Sequence, residues 1–535
     1  LGPGTHTVSA IAVDAAGDRS PVSSRTYDVS DGILVTSNAD SGLGSLRDAI
    51  ANADPGDEIR FAEDMTITLA YSGADDRRGI EIDRDIQIDG TGRSVVIDTG
   101  GAQRHFTFMA DDLFVRIANL TLRNGAPNNG SQLPGGSIYV SSGSDLTVDS
   151  VQFEDNLGLR GGAIAVEPSG GSLSVIDPVV LRNEARGFGG TVNAPDRGFG
   201  GAISVRDSGI SVSGSRFEDN FVQQGSVAFT DSRSGGAIAL LDSQGTVTES
   251  EFISKEAWGQ GGGIWLYNSS LDVIESLFEE NVAGTGGPAG GNVGGGAIWS
   301  NFGGGQLIRI GRTRFLRNLA AGPDQASVTY LGGALYNSGS VMRVLSSEFF
   351  GNGTPRDGRG AAIESNAELA IHSSAFVGNF ADPASANAGA IYAQGDTSIR
   401  YSSFAANSGA SGSEHIYFRS QSFTYDLRNV AMDAANFALG GSVTVDQSDN
   451  VTSAPGFAAV PEDGADNEWG TEDDDYGDLS PGDGSPLVDS GDDSFLWTDP
   501  LDLDGDEDTT EDEAVDAAGN PRVVGTVDVG AYERP

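Results

Sequence analysis

Acidic side chains dominate the chemistry this chain could perform. Residues 461–520 hold 23 Asp and Glu and no Lys or Arg, half of the net charge of −46 carried by the 535 residues. Asp502, Asp504, Asp506 and Asp508 alternate there around Gly505, and Asp473, Asp474 and Asp475 follow Trp469, Gly470 and Thr471. Alternating aspartates in a glycine-bent loop can converge their oxygens on one hard cation, and without it they repel one another. Calcium is therefore the expected cofactor and these seven carboxylates its expected ligands. An EF-hand is not expected, because that loop puts its glycine after three alternating ligands and lies between two helices. The alternative for such a charge run is a solvated linker. Trp469, Tyr476, Phe495 and Trp497 argue against it, since a disordered tail lacks apolar anchors.

The elements that must carry such loops are written in two recurring phrases. A Gly-Gly-Ala-Ile step stands at 161–164, 200–203, 235–238 and 295–298, with leucine last at 332–335 and looser copies at 135–138, 261–264, 360–363 and 388–391. A Phe-x-x-Asn step stands at 153–156, 217–220, 278–281, 315–318, 349–352, 376–379 and 404–407, and a degenerate copy ends at Asn183. Self-similarity of this kind means stacked supersecondary units. From isoleucine to the next phenylalanine the spacing is nearly constant, for example 14 residues from 203 to 217 and from 264 to 278. From asparagine to the next glycine pair it runs from 5 residues (156 to 161) to 17 (183 to 200). The first half is framework and the second is loop.

A right-handed parallel β-helix explains both phrases. Period-2 alternation turns Ile164 and Val166 to one side and the alanine between them to the other. The glycines permit a tight corner, the phenylalanine fills the interior, and the asparagine suits a bend and can stack as a hydrogen-bonded ladder. Ten or so coils predict a rod on the order of 50 Å long. The expected class is all-β, with a short N-terminal capping helix and an acidic, loop-rich C-terminal cap. Expected domains are terminal strands of an Ig-like module or a linker over 1–30, the N-terminal cap over 31–80, the β-helix over 81–445 and a calcium-binding module over 446–535.

The pairing of the two phrases over residues 130–410 resembles the repeats of polymorphic outer-membrane protein adhesins. In that family a C-terminal membrane barrel exports and anchors the passenger, and the acidic end here does not read as one. Upstream, Leu46, Ala49, Ile50 and Ala53 make one apolar helical stripe, with Ser45 as N-cap and Asp54-Pro55-Gly56 as a stop. This phrase resembles the N-terminal cap of large secreted β-helix proteins. Residues 1–30 look like the last two strands of an immunoglobulin-like module, either a fragment of a longer chain or a donor of strands to a neighbour. At the other end, SPLVDSGD (485–492) and VDVGAYE (527–533) resemble the choice-of-anchor Q module of bacterial secreted proteins. That resemblance implies surface attachment through something beyond Pro535, and a module that closes the end of the rod.

Cysteine is absent, which excludes disulfides and cysteine-based zinc sites, and no apolar run approaches the roughly 20 residues of a membrane helix. The charge disfavours nucleic acid and anionic lipid and suits a saline exterior. Lys255, the single lysine, replaces the asparagine of a Phe-x-x-Asn step and reads as a tolerated loop residue. The function expected is an extracellular, cell-surface structural or adhesive element, self-assembling into fibres through its termini. Its loops at 184–199, 221–234, 282–294 and 319–331 would face a surface or matrix glycan or protein, without membrane insertion. The alternative is a polysaccharide lyase or another carbohydrate-active β-helix enzyme. The Asn-Thr-Asp, Gly-His-Gly and Arg-Ile-Lys phrases of pectin hydrolases are missing. A lyase base would have to be Lys255, Arg216 or Arg314, and the corner pairs Glu154/Asp155, Glu218/Asp219 and Glu279/Glu280 supply the carboxylates to weigh. No catalytic residue is assigned.

Overall fold

One coil contains the logic of the rest. In Leu307–Gly311 the even positions Ile308 and Ile310 are fully buried while Arg309 faces out; Arg314–Leu316 buries only Phe315; Leu319–Ala320 buries Ala320; and Leu335–Asn337 turns Leu335 inward. The next coil lies parallel and in register on this one, with Ile308 opposite Met342, Phe315 opposite Phe349 and Leu335 opposite Ile363. A one-residue slip would turn every buried side chain outward, so the alternation fixes the register.

The computed structural model describes residues 4–10, 23–29, 32–70, 78–127, 133–141, 143–168, 171–187, 199–224, 234–286, 291–301, 305–322, 328–356, 358–384, 389–420, 422–434, 437–440, 443–506, 508–512 and 514–534. Repetition of the coil gives three long parallel sheets. Sheet 1 has fifteen strands from Ile33–Val35 to Val445–Ser448, sheet 2 thirteen from Met65–Thr68 to Ala431–Met432, and sheet 3 thirteen from Ile80–Ile82 to Phe437–Leu439. A short eight-stranded ladder from Leu157–Gly158 to Phe380–Ala381 runs between sheets 2 and 3. The fold is a parallel β-helix. Fifteen stacked strands give a length on the order of 65 Å, more than the repeat phrases predict, because coils before residue 130 use plain alternation and carry neither phrase. Sheet 1 also begins inside the segment expected to be cap. The cap itself is the helix Leu46–Asn52, with Ser45 Oγ accepting the Asp48 amide at 3.2 Å and Leu46, Ala49 and Ile50 buried.

Two internal columns bind coil to coil. Phenylalanine rings stack from Phe217 through Phe252, Phe278, Phe315, Phe349 and Phe376 to Phe404, with centroids 4.6–5.2 Å apart. Beside them the buried asparagines, Asn220 and the terminal Asn407 excepted, donate Nδ2 to the Oδ1 of the asparagine in the following coil, as Asn281 does to Asn318 at 2.8 Å and Asn352 to Asn379 at 3.0 Å. Each Nδ2 also reaches back to the main-chain carbonyl of the preceding coil, for example Asn318 to Phe278 at 2.9 Å. The glycine corner is equally tight: Gly200 has φ +65°, and a Cβ there would lie 1.9 Å from the Ile203 carbonyl oxygen.

Lys255 interrupts the asparagine column and is not a loop residue. Its side chain is fully buried, Nζ donates to the Ile253 carbonyl, and only its amide joins the ladder, at 3.2 Å from Asn281 Oδ1. Burial drives its ammonium well below the usual lysine range, although Asp219 and Glu218 pull the other way.

The outer side of sheet 3 also departs from simple alternation. Ala165, Ala239, Trp265, Trp299 and Tyr336 point away from the core yet are buried, because the chain entering each glycine corner folds over them. Phe199 stacks on Trp265 at 4.8 Å and Trp299 on Tyr336 at 3.8 Å. Glu364 shares this row, fully buried, paired with Arg359 at 3.0 Å and pushed up to about 8 by burial.

The C-terminal segment does not close the end of the rod; it runs back along the flank. Arg309 Nη1 donates to the Pro500 carbonyl (3.2 Å), Arg312 Nη1 to that of Leu503 (2.7 Å), Ser346 Oγ to that of Val515 (2.8 Å) and Tyr401 OH to that of Asp492 (2.6 Å). All four aromatic anchors engage this surface. Trp497 stacks on His372 at 4.1 Å, Phe495 lies under Arg428 at 4.5 Å, Tyr476 stacks on Phe350 at 5.1 Å, and Trp469 occupies the space where Gly378 lacks a side chain. Arg522, fully buried, ties the final turns together through Glu533 and the Gly530 carbonyl. At the other terminus Gly4–Ala10 and Ser23–Val29 form an antiparallel hairpin, Gly4 opposite Val29.

Candidate functional site

The two aspartate clusters meet different fates. Oxygens of Asp502, Asp504 and Asp506 lie within 4.8 Å of one another, at a bend where Asp502 has φ +52° and Gly505 φ +80°. Leu501 and Leu503, on either side of Asp502, are buried against Leu345 and Val515 on the flank, so the loop is anchored. Burial and the neighbouring Asp506, Asp504 and Asp508 carboxylates push Glu511 above its ordinary range, the signature of a site crowded with negative charge. Asp508 stands apart, accepting the Thr510 amide and hydroxyl at 2.9 and 2.7 Å. This donor set, all carboxylate oxygen, fits a hard cation.

Asp473, Asp474 and Asp475 are occupied with folding their own turn. Asp474 Oδ2 accepts the amides of Gly470 (2.7 Å) and Thr471 (3.0 Å) and the Tyr476 hydroxyl (3.1 Å). Asp473 accepts the Ala465 amide and the Thr471 hydroxyl, which hold its carboxyl below the usual range. Asp475 accepts the Gly477 amide at 2.9 Å. These three share no converging geometry of the kind seen at Asp502.

Of the carboxylates weighed for carbohydrate cleavage, all but Asp219 pair with arginines, and the two arginines weighed as bases are themselves ion-paired. Arg182 pairs with Glu154 and, at 2.9 Å, with Asp155; Arg317 pairs with Glu279 (2.6 Å) and Glu280 (3.0 Å). Arg216 lies between Glu218 (3.1 Å) and Glu251, and Arg314 reaches Glu348 at 3.4 Å while lying over the Phe350 ring. Each such arginine pairs with a carboxylate of an adjoining coil, and Arg216 also with one of its own.

A groove that sequence reasoning missed opens where sheet 2 turns into the short ladder. Its volume is about 840 Å³. One wall is a row of residues in the left-handed region, Asp155 (φ +54°), Arg182 (+51°), Asp219 (+52°) and Ser254 (+54°), which project from successive corners. The other is the outward row of the ladder, where pairing places Leu157, Glu184, Phe221 and Glu256 one above another. Trp258 forms the far end, one side of its ring covered by Gly286, where a Cβ would lie 1.7 Å from it. The legible signal was the residue directly after the column position in four successive coils, Leu157, Glu184, Phe221 and Glu256, apolar and acidic in turn.

Of the four expected contact loops, residues 188–198, 225–233, 287–290 and 323–327 lie outside the described residues; the first two begin at the groove, with Glu184 and Phe221 in its lining. Among the described residues no helix is long and apolar enough to cross a membrane.

No family model matches the chain, and no curated protein matches it. Among solved structures, the crystal structure of PfbA, a surface adhesin of Streptococcus pneumoniae, aligns with 72% of this chain and 87% of its own at 12% identity and a TM-score of 0.34.

Proposed function

We propose that the chain is an extracellular, cell-surface β-helix that serves as a rigid display and adhesive element for a glycan or protein partner. The observation that carries this reading is where the coils keep their freedom. Sheet 1 passes to sheet 2, and sheet 2 to the short ladder, within a few residues, as from Gly311 to Arg314 and from Leu316 to Leu319. Between the ladder and sheet 3 the chain instead runs from Gly187 to Ile203, from Gln224 to Ile238 and from Ala283 to Ile298. Long insertions thus leave one edge of the rod, and loops on a rigid scaffold are where recognition is carried. The coil that passes directly from Ala257 to Ile264 supplies a natural short connector. Replacing residues 188–198 and 225–233 with two-residue links, which brings those connections to the length of that connector, and deleting residues 287–290 and 323–327 is expected to cut binding on an array of matrix proteins and glycans by at least tenfold, with the melting temperature nearly unchanged. Full retention of binding would refute the adhesive reading. Fibre assembly would use the N-terminal hairpin, whose edges can accept a further strand.

Calcium belongs to the same reading as a fastener. Asp502, Asp504 and Asp506 would hold it, and the ion would offset their mutual repulsion and fix the loop that seats Leu501 and Leu503 on the flank. Binding to the folded state alone adds about 2.7 kcal/mol at a hundredfold excess over Kd. The melting temperature is expected to fall on chelation in the wild type, to lose its calcium dependence in Asp504→Asn/Asp506→Asn, and to keep it in Asp473→Asn. A melting temperature indifferent to calcium would remove the ion from the account.

A further inference from the structure

The groove beside the short ladder has a pattern finer than its charge. Asp155, Glu184, Asp219 and Glu256 come from four successive coils and alternate between the two walls, corner, ladder, corner, ladder. Carboxylates on the same wall are therefore two coils apart, roughly 9.6 Å at about 4.8 Å per coil. Facing them across the groove at alternate levels are apolar side chains, Leu157 opposite Asp155 and Phe221 opposite Asp219, with Trp258 at the end. Among the described residues the carboxylates of Asp219 and Glu256 enter no hydrogen bond or ion pair and are exposed to the groove, while Asp155 is held by Arg182 and Glu184 by Arg186, at 2.6 Å and 2.7 Å to its two oxygens.

We infer that this groove binds an extended, uncharged β-1,4-linked glycan, which deepens the adhesive reading above and rests on it. In such a chain successive rings are flipped, so its hydroxyls present alternately to either side and its repeat is two sugar units long, close to two coils of this rod. Asp219 and Glu256 accept hydroxyl hydrogens from rings one coil apart, Asp155 and Glu184 accept them through the lone pairs that Arg182 and Arg186 leave open, and the apolar wall opposite covers the C–H faces, with Trp258 as the terminal platform. An extended peptide fits less well, because its same-side residues recur at about 6.8 Å, two residues of strand. Acidic glycans are excluded by charge: four carboxylates and one arginine line the groove, a net of −3, within a chain of −46. This also separates the groove from a lyase cleft, which must accept uronates.

The test is calorimetric titration of the whole chain with cellohexaose, chitohexaose and hexagalacturonate, with tryptophan fluorescence as a second readout. Cellohexaose or chitohexaose is expected to bind and hexagalacturonate not. Trp258→Ala and, independently, Asp219→Asn/Glu256→Gln are each expected to weaken binding at least tenfold; the latter pair is exposed, so its fold is safe if Trp258→Ala proves unstable. Absence of binding by both neutral oligomers, equal binding of hexagalacturonate, or binding of a lysine-rich peptide in their place overturns the inference. Loop-replaced protein separates the two readings. If it loses array binding while neutral oligomers never bind the wild type, the groove assignment fails and the adhesive reading stands. If neutral oligomers bind and the wild type holds no array surface, the adhesive reading fails.

Discussion

Phe315→Ala is expected to cost about 3–5 kcal/mol, the range for truncating a buried aromatic side chain. Phe315 is fully buried and stacks on Phe278 at 5.2 Å and on Phe349 at 4.7 Å, so the change opens a void and breaks two ring contacts, each worth roughly 0.5–1.5 kcal/mol beyond area burial. The β-carbons above and below are held by parallel ladders and cannot collapse into the gap. Phe153 offers an internal control, since its in-register neighbours are Leu122 and Val180 and no ring stacks on it from those coils. Its truncation is expected to cost less by the missing ring contacts. Chemical denaturation of both variants measures the difference. A loss under about 1 kcal/mol at Phe315 would mean that the column is not a principal source of cohesion.

Lys255→Asn is expected to stabilise the protein. In the wild type Asn220 finds no amide oxygen in the next coil, whereas Asn183, Asn281, Asn318, Asn352 and Asn379 all do. An amide at 255 completes the column, with two or three new hydrogen bonds worth about 0.5–1.5 kcal/mol each, and removes a buried amine. The pH dependence separates the two contributions. The folded state lowers the lysine below its ordinary value of 10.5, so at intermediate pH the unfolded chain binds the extra proton and wild-type stability rises with pH. The advantage of the variant should therefore be largest at neutral pH and shrink as pH rises through 10.5, leaving the hydrogen-bond contribution. Equal stability of the two proteins at pH 7 would show that the lysine is accommodated without cost.

How much of this was legible depends on the range of each contact. The β-helix, the inward Ile and Phe, the Ser45 cap and the asparagine column could all be read, because each is a local geometry repeated in coil after coil. Lys255 was misjudged for the same reason: one exception in a column looks like loop variation until the column is seen to be buried. The groove was missed because its two walls come from corner and ladder positions that only stacking brings together. At the aspartates, composition alone could not separate Asp502, Asp504 and Asp506, which converge, from Asp473, Asp474 and Asp475, each of which gives one oxygen to a main-chain amide a few residues away.

The sequence by itself determined the solenoid, its register and the edge from which its loops leave. Those features arise from alternation, glycine corners and side chains that meet their own kind one coil away, 27 to 37 residues in the asparagine pairs from 156 to 407. Only the tertiary structure decided that residues 455–534 fold back on the flank, that the outer row of sheet 3 is buried, and that four carboxylates zigzag along one groove. The flank contacts join residues up to 191 positions apart, Arg309 to Pro500 and Arg312 to Leu503, and each occurs once. A contact without a repeat leaves no period in the chain, so its energy becomes visible only when the two surfaces are brought together.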